Sequence, residues 1–192
     1  MKIILASKSP RRKEILENLG LDFEIIVADA DESCDIKEPC ELVMTIAAKK
    51  GKAVIEALGD ERQKDVLLIA CDTLVYASGE FLGKPHDNAD AQRMLRMLSG
   101  NAHEVISGLY LCYNGKEVRR AESTKVFFDE MSDTDIQKYI ESGEPCDKAG
   151  AYAIQGKASA YIKGIEGDYF NVVGLPAHLL LKTLKEEFNI TF

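Results

Sequence analysis

The sequence has 192 residues, of which 46% are hydrophobic and 29% charged, and its formal net charge is −8. This composition is typical of one globular domain, and the acidic balance argues against non-specific nucleic-acid binding, which requires a basic surface. No apolar run approaches the ~20 residues of a membrane span, and the short apolar start does not resemble a signal peptide. We therefore expect a single cytoplasmic domain over residues 1–192 that binds neither membrane nor nucleic acid.

Alternating strands and helices are predicted for the first half of the chain from apolar periodicity and from start and stop residues. The predicted elements are a strand at 2–6, a helix from 10 to 19 with Ser9 as its N-cap and Gly20 beyond its end, a strand at 23–27, an acidic irregular segment at 29–36, a helix at 39–58 and an apolar strand at 66–76.

The sequence pattern of the second half of the chain predicts further helices around a β-hairpin. The predicted elements are a turn at 78–79, a helix at 87–98, strands at 104–113 and 117–128, a helix with a capping box through residue 141, a glycine-containing loop at 143–151, short strands near 152–155 and 159–165, and a last helix at 176–188. Asn114-Gly115 joins the two long strands, and this dipeptide requires antiparallel pairing. The pattern predicts a mixed α/β fold, not a purely parallel sheet.

The segment Ser7-Lys8-Ser9-Pro10-Arg11-Arg12 links the first strand to the first helix. Free backbone N–H groups and the positive end of the helix dipole attract anions at such a position. Two hydroxyls and two guanidiniums there suit phosphate oxygens, which arginine can bind in a bidentate manner. The segment lacks the Walker A pattern. It indicates either a site for a small anionic ligand or an ordinary solvated helix start.

Lys50 is a second candidate, because a helical wheel of residues 42–58 puts it near the centre of the apolar face, between Ile46 and Val54. A lysine there either extends along the helix to reach water or points at an anion in a cleft. The wheel alone leaves both options open.

Asp72 interrupts an otherwise apolar strand, and a buried carboxylate needs a cation, a hydrogen-bond network or a metal. The alternative is a strand that ends in a turn at Asp72-Thr73, but the apolar residues 74–76 favour a continuing strand. Glu32, in an acidic loop, reads as a solvated side chain unless the fold brings it near Asp72. In that case the two carboxylates could share a divalent ion.

Two glycine-containing segments complete the candidates. Gly83-Lys84-Pro85 lets the backbone approach a ligand and presents a lysine suited to phosphate, although an ordinary turn is the alternative. Residues 147–156 carry small residues, and Gln155 near their end can both donate and accept hydrogen bonds to a base edge, although a glycine-rich connector is the alternative. The three histidines lie in no H-E-x-x-H pattern, and we interpret them as structural or surface residues.

These pieces, in this order, resemble the Maf family. The shared motifs are L-A-S-K-S-P-R-R-K-E-I-L from residue 5, D-x-D-E at 29–32, I-A-A-K-K-G-K-A at 46–53, C-D-T-L-V at 71–75, L-G-K-P at 82–85, S-G-N-A-H-E-V at 99–105, D-K-A-G-A-Y-A-I-Q-G at 147–156 and N-V-V-G-L-P at 171–176. The resemblance covers nearly the whole chain, and the combination is highly specific.

The resemblance implies an elongated mixed sheet flanked by helices, with two lobes around a cleft, similar to inosine triphosphatases. It implies hydrolysis of nucleoside triphosphates to the monophosphate and pyrophosphate with Mg²⁺, or alternatively Mn²⁺. By motif, Asp72 matches the general base, and Glu32 with Asp72 matches the metal ligands. The residues that match the phosphate-binding positions are Ser7, Arg12, Lys50 and Lys84. The residues that match positions linked to substrate choice are Arg11, Thr73 and Gln155.

The S-P-R-R, D-T and I-Q-G forms resemble the branch that hydrolyses dTTP and UTP, although Lys8, Cys71, Ala153 and Ala177 depart from the usual pattern. Two alternatives stay open. One is a pyrophosphatase for inosine or xanthosine triphosphate, and the other is a non-catalytic nucleotide-binding regulator of septum formation. The family often forms homodimers, so a homodimer is one expected state.

Overall fold

A computed structural model describes residues 1–59 and 64–192. Within these residues, seven strands and six α-helices form a mixed α/β fold, which confirms the predicted fold class. In chain order the elements are β1 (Lys2–Leu5), α1 (Pro10–Asn18), β2 (Glu24–Ile25), α2 (Pro39–Leu58), β3 (Val66–Ala77), β4 (Glu80–Leu82), α3 (Asn88–Leu98), β5 (Ala102–Tyr113), β6 (Lys116–Phe128), α4 (Asp133–Glu141), β7 (Ile162–Glu166), α5 (Tyr169–Val173) and α6 (Ala177–Phe188).

The sheet is mixed. Its strand order is β2-β1-β3-β5-β6-β7, with β4 paired to β3. Strand β1 pairs in parallel with β2 and β3, whereas β4 is antiparallel to β3 and β7 is antiparallel to β6. Asn114 and Gly115 join β5 to β6, and both have positive φ, 48° and 80°. This is the turn geometry that the Asn-Gly signal predicts.

The described chain divides into two compact units. Unit 1 comprises residues 1–72, 107–122 and 174–192, and unit 2 comprises residues 73–106 and 123–173. Strands β3, β5 and β6 each contribute one part to each unit. The sequence predicted a single domain with two lobes around a cleft, and the arrangement of these units stays a prediction.

Unit 1 packs helix α2 against its part of the sheet. Apolar side chains of β1, β3 and β5 meet small residues of α2 in one cluster, which includes Ile4, Ala47, Leu68 and Tyr110. Gly20 lies just beyond the end of helix α1, and its φ of 73° is the left-handed conformation that glycine adopts without strain. The N–H of Gly20 and that of Leu21 bond to carbonyls of the last turn, which is a Schellman motif.

Unit 2 packs α3 and α4 against the other strand segments. Its core includes Leu95, Phe128, Ile136 and Tyr152. The capping box predicted at Ser132 is present, because its hydroxyl accepts from the N–H three residues later and the reciprocal bond also forms. No helix in the described ranges is both long and apolar enough to cross a membrane.

Several local predictions were wrong. Strand β4 and the five-residue helix α5 were missed, since elements this short leave little periodicity in sequence. Residues 152–155 are not a strand. Within the predicted glycine-containing loop, 144–147 and 149–151 form short 3₁₀ helices. Ser9 occupies the N-cap of α1, but its side chain makes no capping hydrogen bond.

Candidate active site

The turn between β1 and α1 holds Arg12 in a fixed orientation. Its Nε donates to the carbonyl oxygen of Gly174 at 2.8 Å, and its Nη1 donates to Ser7 Oγ at 3.1 Å. Ser7 is buried, and its hydroxyl also accepts the backbone N–H of Ser9 at 3.2 Å. The start of α1 therefore presents a hydroxyl and a guanidinium side by side, which is the pair predicted for binding phosphate.

Lys50 lies between the two carboxylates that the sequence singled out. Its Nζ is 2.7 Å from Asp72 Oδ1 and 3.0 Å from Glu32 Oε2. Asp72 is largely buried, with 16% of its side chain exposed, whereas Glu32 is 53% exposed. The structure therefore brings together three of the predicted residues, and Lys50 binds anionic groups instead of reaching out to water. Two carboxylates and one ammonium leave a net negative charge at this point.

Two glycines let α2 approach the sheet closely enough for this contact. A Cβ at Gly51 would lie 2.3 Å from Cδ1 of the buried Tyr110 ring, and a Cβ at Gly108 would lie 2.3 Å from the backbone of Val43. Neither position can hold a larger residue unless the helix or the ring moves. The distance between α2 and β5, and with it the reach of Lys50, depends on both glycines.

This packing also corrects the helical wheel. The buried face of α2 runs through Ala47, Ala48, Gly51 and Val54, so its centre is turned toward the small residues that meet Tyr110. Lys50 lies at the edge of that face, half-buried, where its stem is covered while its ammonium reaches the carboxylates.

A cavity of about 420 Å³ opens in unit 1 beside these groups. Its lining includes Ser7, Lys8, Arg12, Asp29, Glu32 and Lys50, together with small or branched apolar residues. Three cationic and two anionic side chains therefore face one space whose volume falls in the range of small-molecule sites. A polyanion that carries a divalent cation is the ligand class that matches such mixed charge.

Three predicted site residues belong to unit 2. Thr73 follows Asp72 directly along β3. Lys84 is exposed in the turn after β4, and Gln155 is exposed ahead of a 3₁₀ helix at Lys157–Tyr161. Their membership of the site, like that of Arg11 on the first turn of α1, stays a prediction.

Within unit 2, two of the predicted motifs contact each other. The N–H of Gly150 donates to the carbonyl of Gly83 at 3.0 Å, which joins the L-G-K-P turn to the 147–156 segment. Gly150 has φ of 68°, and a Cβ there would lie 2.9 Å from a methyl of Val75. Because only glycine combines this φ with this close approach, Gly150 fixes the segment against β3.

The donor set at Glu32 and Asp72 fits a hard divalent cation. Both carboxylates contact one Nζ, so they are close enough to serve a common ion, and Mg²⁺ is often held by one or two carboxylates plus substrate phosphates. Across residues 1–59 and 64–192, no three His, Cys, Asp or Glu side chains converge on one point. The protein part of the site therefore suits a metal that arrives with an anionic ligand better than a closed metal cage.

Sequence reasoning missed three contributors. The carbonyl of Gly174 accepts from Arg12 and also from the Cys71 thiol at 3.4 Å, so it ties the α1 turn to the strand residue before Asp72. Asp29 lines the cavity, and Gly51 sets the helix position. All three lie in motifs shared with the family, N-V-V-G-L-P, D-x-D-E and I-A-A-K-K-G-K-A, but those motifs did not indicate which residue or atom mattered.

The sequence is similar to known proteins over nearly its whole length. The model of the Maf-like protein family matches residues 2–187. A protein of Bacillus thuringiensis subsp. konkukian (strain 97-27) named dTTP/UTP pyrophosphatase is 45% identical over 190 residues, which cover 98% of this chain and 96% of that one. A protein of the same name from Caldanaerobacter subterraneus subsp. tengcongensis is 46% identical over 193 residues, with coverage of 99% and 91%.

Among solved structures, the Ham1 protein of Staphylococcus aureus is 16% identical, covers 67% of this chain and 72% of its own, and gives a TM-score of 0.48. At that score the likeness carries no argument about fold or activity.

Proposed function

The chain belongs to the Maf family, and on that premise we propose that it is a nucleoside triphosphate pyrophosphatase that hydrolyses dTTP and UTP to the nucleoside monophosphate and pyrophosphate. Its curated relatives carry this activity in their names, in agreement with the function predicted from the sequence. The observation that carries the proposal is the contact of Lys50 with both Asp72 and Glu32 beside a cavity lined by Ser7 and Arg12.

Phosphate binding is the first task of these residues. A triphosphate carries about four negative charges, which repel an attacking water and must be balanced more strongly in the transition state than in the ground state. Arg12 offers a guanidinium already oriented by Gly174 and Ser7, and Lys50 offers an ammonium. The proposal adds Lys84 as a further phosphate ligand, on the L-G-K-P motif alone.

Asp72 is assigned to the water. A carboxylate within reach of a water molecule can orient it and take its proton as the new P–O bond forms and the anhydride bond between the α- and β-phosphates breaks, a contribution of roughly 10²–10⁴ in rate. The contact with Lys50 holds the carboxylate in one orientation. When substrate phosphate competes for Lys50, that carboxylate becomes available as base or as metal ligand.

A divalent metal completes the proposal. Glu32 and Asp72 would hold Mg²⁺, with Mn²⁺ as the alternative, and the ion would supply charge neutralisation at the phosphates. We expect a chelator to abolish turnover and added Mg²⁺ to restore it, while the melting temperature of the free chain changes little.

Substrate choice is assigned to Arg11, Thr73 and Gln155. Uracil and thymine share an imide edge that presents two acceptors and one donor. A glutamine amide can pair with that edge because it both donates and accepts. A base that leaves this amide without a hydrogen-bond partner binds less well, so the pocket discriminates against it.

The remaining parts of the proposal concern the whole protein. We propose that residues 1–192 act as one functional domain, that the enzyme works in the cytoplasm on free nucleotides, and that it removes unwanted or modified pyrimidine nucleotides. A homodimer is the proposed assembly.

A nucleotide panel tests this function. The wild-type chain is incubated with Mg²⁺ and UTP, dTTP, CTP, ITP, XTP or GTP, and pyrophosphate and orthophosphate are measured separately. We expect pyrophosphate from UTP and dTTP at the highest kcat/KM. A preference for ITP or XTP would replace the substrate class, and nucleotide binding without any pyrophosphate would favour a regulator of septum formation.

A further inference from the structure

Glu144, the first residue of the 3₁₀ helix that follows α4 in unit 2, accepts hydrogen bonds from two separate segments. Its Oε1 accepts from the Tyr139 hydroxyl at 2.9 Å, and its Oε2 accepts from the backbone N–H of Lys157 at 3.1 Å. The same Tyr139 oxygen accepts the backbone N–H of Ala153 at 3.3 Å. One phenol and one carboxylate therefore hold the backbone on both sides of Gln155, at 153 and at 157.

Gly156 shows how closely the carboxylate lies against this segment. A Cβ at Gly156 would be 2.3 Å from Oε1 of Glu144 and 2.8 Å from Oε2. Only glycine leaves room for the carboxylate to lie on the backbone at this point. A larger residue would push the Glu144 side chain away, because that side chain is flexible whereas the backbone is anchored.

Burial separates the anchored residues from Gln155 itself. Tyr152 and Ala153 are 5% and 9% exposed, whereas Gln155 is exposed. The segment is thus fixed at its inner end and at Lys157, and it presents one amide side chain outward between these points. A glutamine on a free loop would sample many orientations, and fixing its backbone reduces the entropy lost when it pairs with a ligand.

The Tyr139 hydroxyl is suited to donate its hydrogen bond to Glu144 at every pH of interest. Burial, followed by the hydrogen bond to the Glu144 carboxylate, raises the pKa of Tyr139 above its ordinary value. The hydroxyl therefore remains protonated across the pH range of enzyme assays and keeps donating to Glu144 while it accepts from Ala153.

We propose that Glu144 and Tyr139 are positioning residues that fix the 153–157 backbone so that Gln155 reads the pyrimidine base. We call these hydrogen bonds of Glu144 and Tyr139 to the backbone at 153 and 157 the clamp. The inference rests on the proposed function, since it assigns to the clamp the base selectivity of the same reaction. Its physical basis is that a hydrogen-bonding group discriminates between partners only when it is held in one orientation. Loss of the clamp should therefore reduce the preference for the imide edge of uracil over the amino edge of cytosine.

Three substitutions weaken the clamp from different sides. Glu144→Gln replaces one acceptor oxygen by an amide NH₂, Tyr139→Phe removes the hydroxyl, and Gly156→Ala displaces the carboxylate. The matched control is Glu141→Gln, the same chemical change on an exposed residue of α4 whose partner is Gln137. We expect the ratio of kcat/KM for UTP to that for CTP to fall about fivefold in the three variants, the size of one lost hydrogen bond, and to stay unchanged in the control.

A second readout distinguishes positioning from general structural damage. Backbone amide exchange at Ala153 and Lys157 should accelerate in Glu144→Gln and Tyr139→Phe, whereas kcat for saturating UTP should stay within about twofold of wild type. If exchange accelerates and the UTP-to-CTP ratio is unchanged, or if both nucleotides slow equally, the inference is overturned while the proposed function stands. A wild-type chain that releases no pyrophosphate from any nucleotide overturns both.

Discussion

The two units of the chain hold their polar side chains in different ways. In unit 1 the principal polar contacts at the candidate site are ionic, between Lys50 and the carboxylates of Asp72 and Glu32. In unit 2 the fully buried polar contacts are hydrogen bonds of uncharged groups, such as His103 Nε2 with the Tyr152 hydroxyl at 2.7 Å, and the part-buried Glu144 carboxylate accepts from the Tyr139 hydroxyl. The first kind suits a charged phosphate chain and a metal ion, and the second suits the shape and hydrogen-bonding edge of a base.

This difference indicates which unit can exchange its polar contacts for a ligand and which unit holds a fixed conformation. Partly exposed ionic contacts contribute little to stability, so they can be exchanged for a ligand at small cost to the fold. Buried hydrogen bonds of neutral groups specify one conformation, because a donor or acceptor left unpaired is costly. We therefore expect substitutions in unit 1 to affect turnover first, and substitutions in unit 2 to affect conformation and selectivity, except at Arg11 and Lys84, to which the proposed function gives the opposite roles.

The largest effect is expected for Asp72→Asn in unit 1. An amide can neither accept the proton of water nor hold a divalent ion as a carboxylate does, so pyrophosphate release from UTP should fall about a thousandfold. The thermal midpoint should stay close to wild type, because Lys50 keeps Glu32 as a partner. Asp65→Asn, the same change at an exposed position, should remain active. An Asp72→Asn enzyme with normal turnover would rule out both roles given to Asp72.

The next effect concerns stability and pH in unit 2. Burial lowers the pKa of His103 from 6.5 to about 4. Below pH 6.5 the unfolded chain binds a proton that the folded chain does not, so this histidine lowers the free energy of unfolding by about 2 kcal/mol between pH 7 and pH 5. The loss levels off below pH 4, where the folded chain also binds the proton.

Urea unfolding of wild type and His103→Gln at both pH values measures this effect. The variant should be less stable at pH 7, because it loses the packing of the ring against Phe128 and Tyr152. It should also lose about 2 kcal/mol less than wild type on going to pH 5. Equal pH dependence in the two proteins would show that His103 is not the titrating group.

A smaller effect is expected for Gly51→Ala, which moves α2 without touching a charge. The added methyl meets the Tyr110 ring, so Lys50 shifts and kcat for UTP should drop about tenfold. Adding Tyr110→Ala makes room and should restore a large part of kcat despite lower stability. Lys52→Ala, on the solvent side of the same turn, is the control. Full activity in Gly51→Ala would remove the argument that glycine sets the position of Lys50.

The smallest effect is expected for Gln155→Ala. The preference for UTP and dTTP over CTP should fall about three- to tenfold, while pyrophosphate release from saturating UTP changes less. The measurement is kcat/KM across the nucleotide panel. If the preference for UTP and dTTP over CTP is unchanged and only the rate of pyrophosphate release falls, Gln155 does not read the base. Selectivity could then no longer be assigned to unit 2.

Long or strongly signalled elements could be predicted from sequence. Helix α2 begins and ends where predicted, at Pro39 and Leu58, because proline, apolar periodicity and a closing glycine agree there. The Asn114-Gly115 turn and the capping box at Ser132 also follow from local chemistry. Strand β4 and helix α5 could not be predicted, since they exist through pairing with β3 and through the bonds of the buried Asn171 to Val105 and Thr124.

The site could be predicted only in part, for the same reason. Asp72 stood out in the sequence because a carboxylate interrupts a buried strand, and its need for a cation, a hydrogen-bond network or a metal followed from desolvation. That Lys50 is the cation could not be read from the wheel, which gives a direction around one helix but no neighbour. The roles of Gly51 and of the Gly174 carbonyl depend on contacts between distant segments, so no local pattern contains them.

The double variant Glu32→Gln/Asp72→Asn, compared with each single variant in kcat/KM for UTP, tests most directly that these side chains serve one site. Groups that act as a unit lose their effect together, so the account predicts a double variant about as slow as Asp72→Asn alone. Losses that multiply, as for two independent positions, would contradict it.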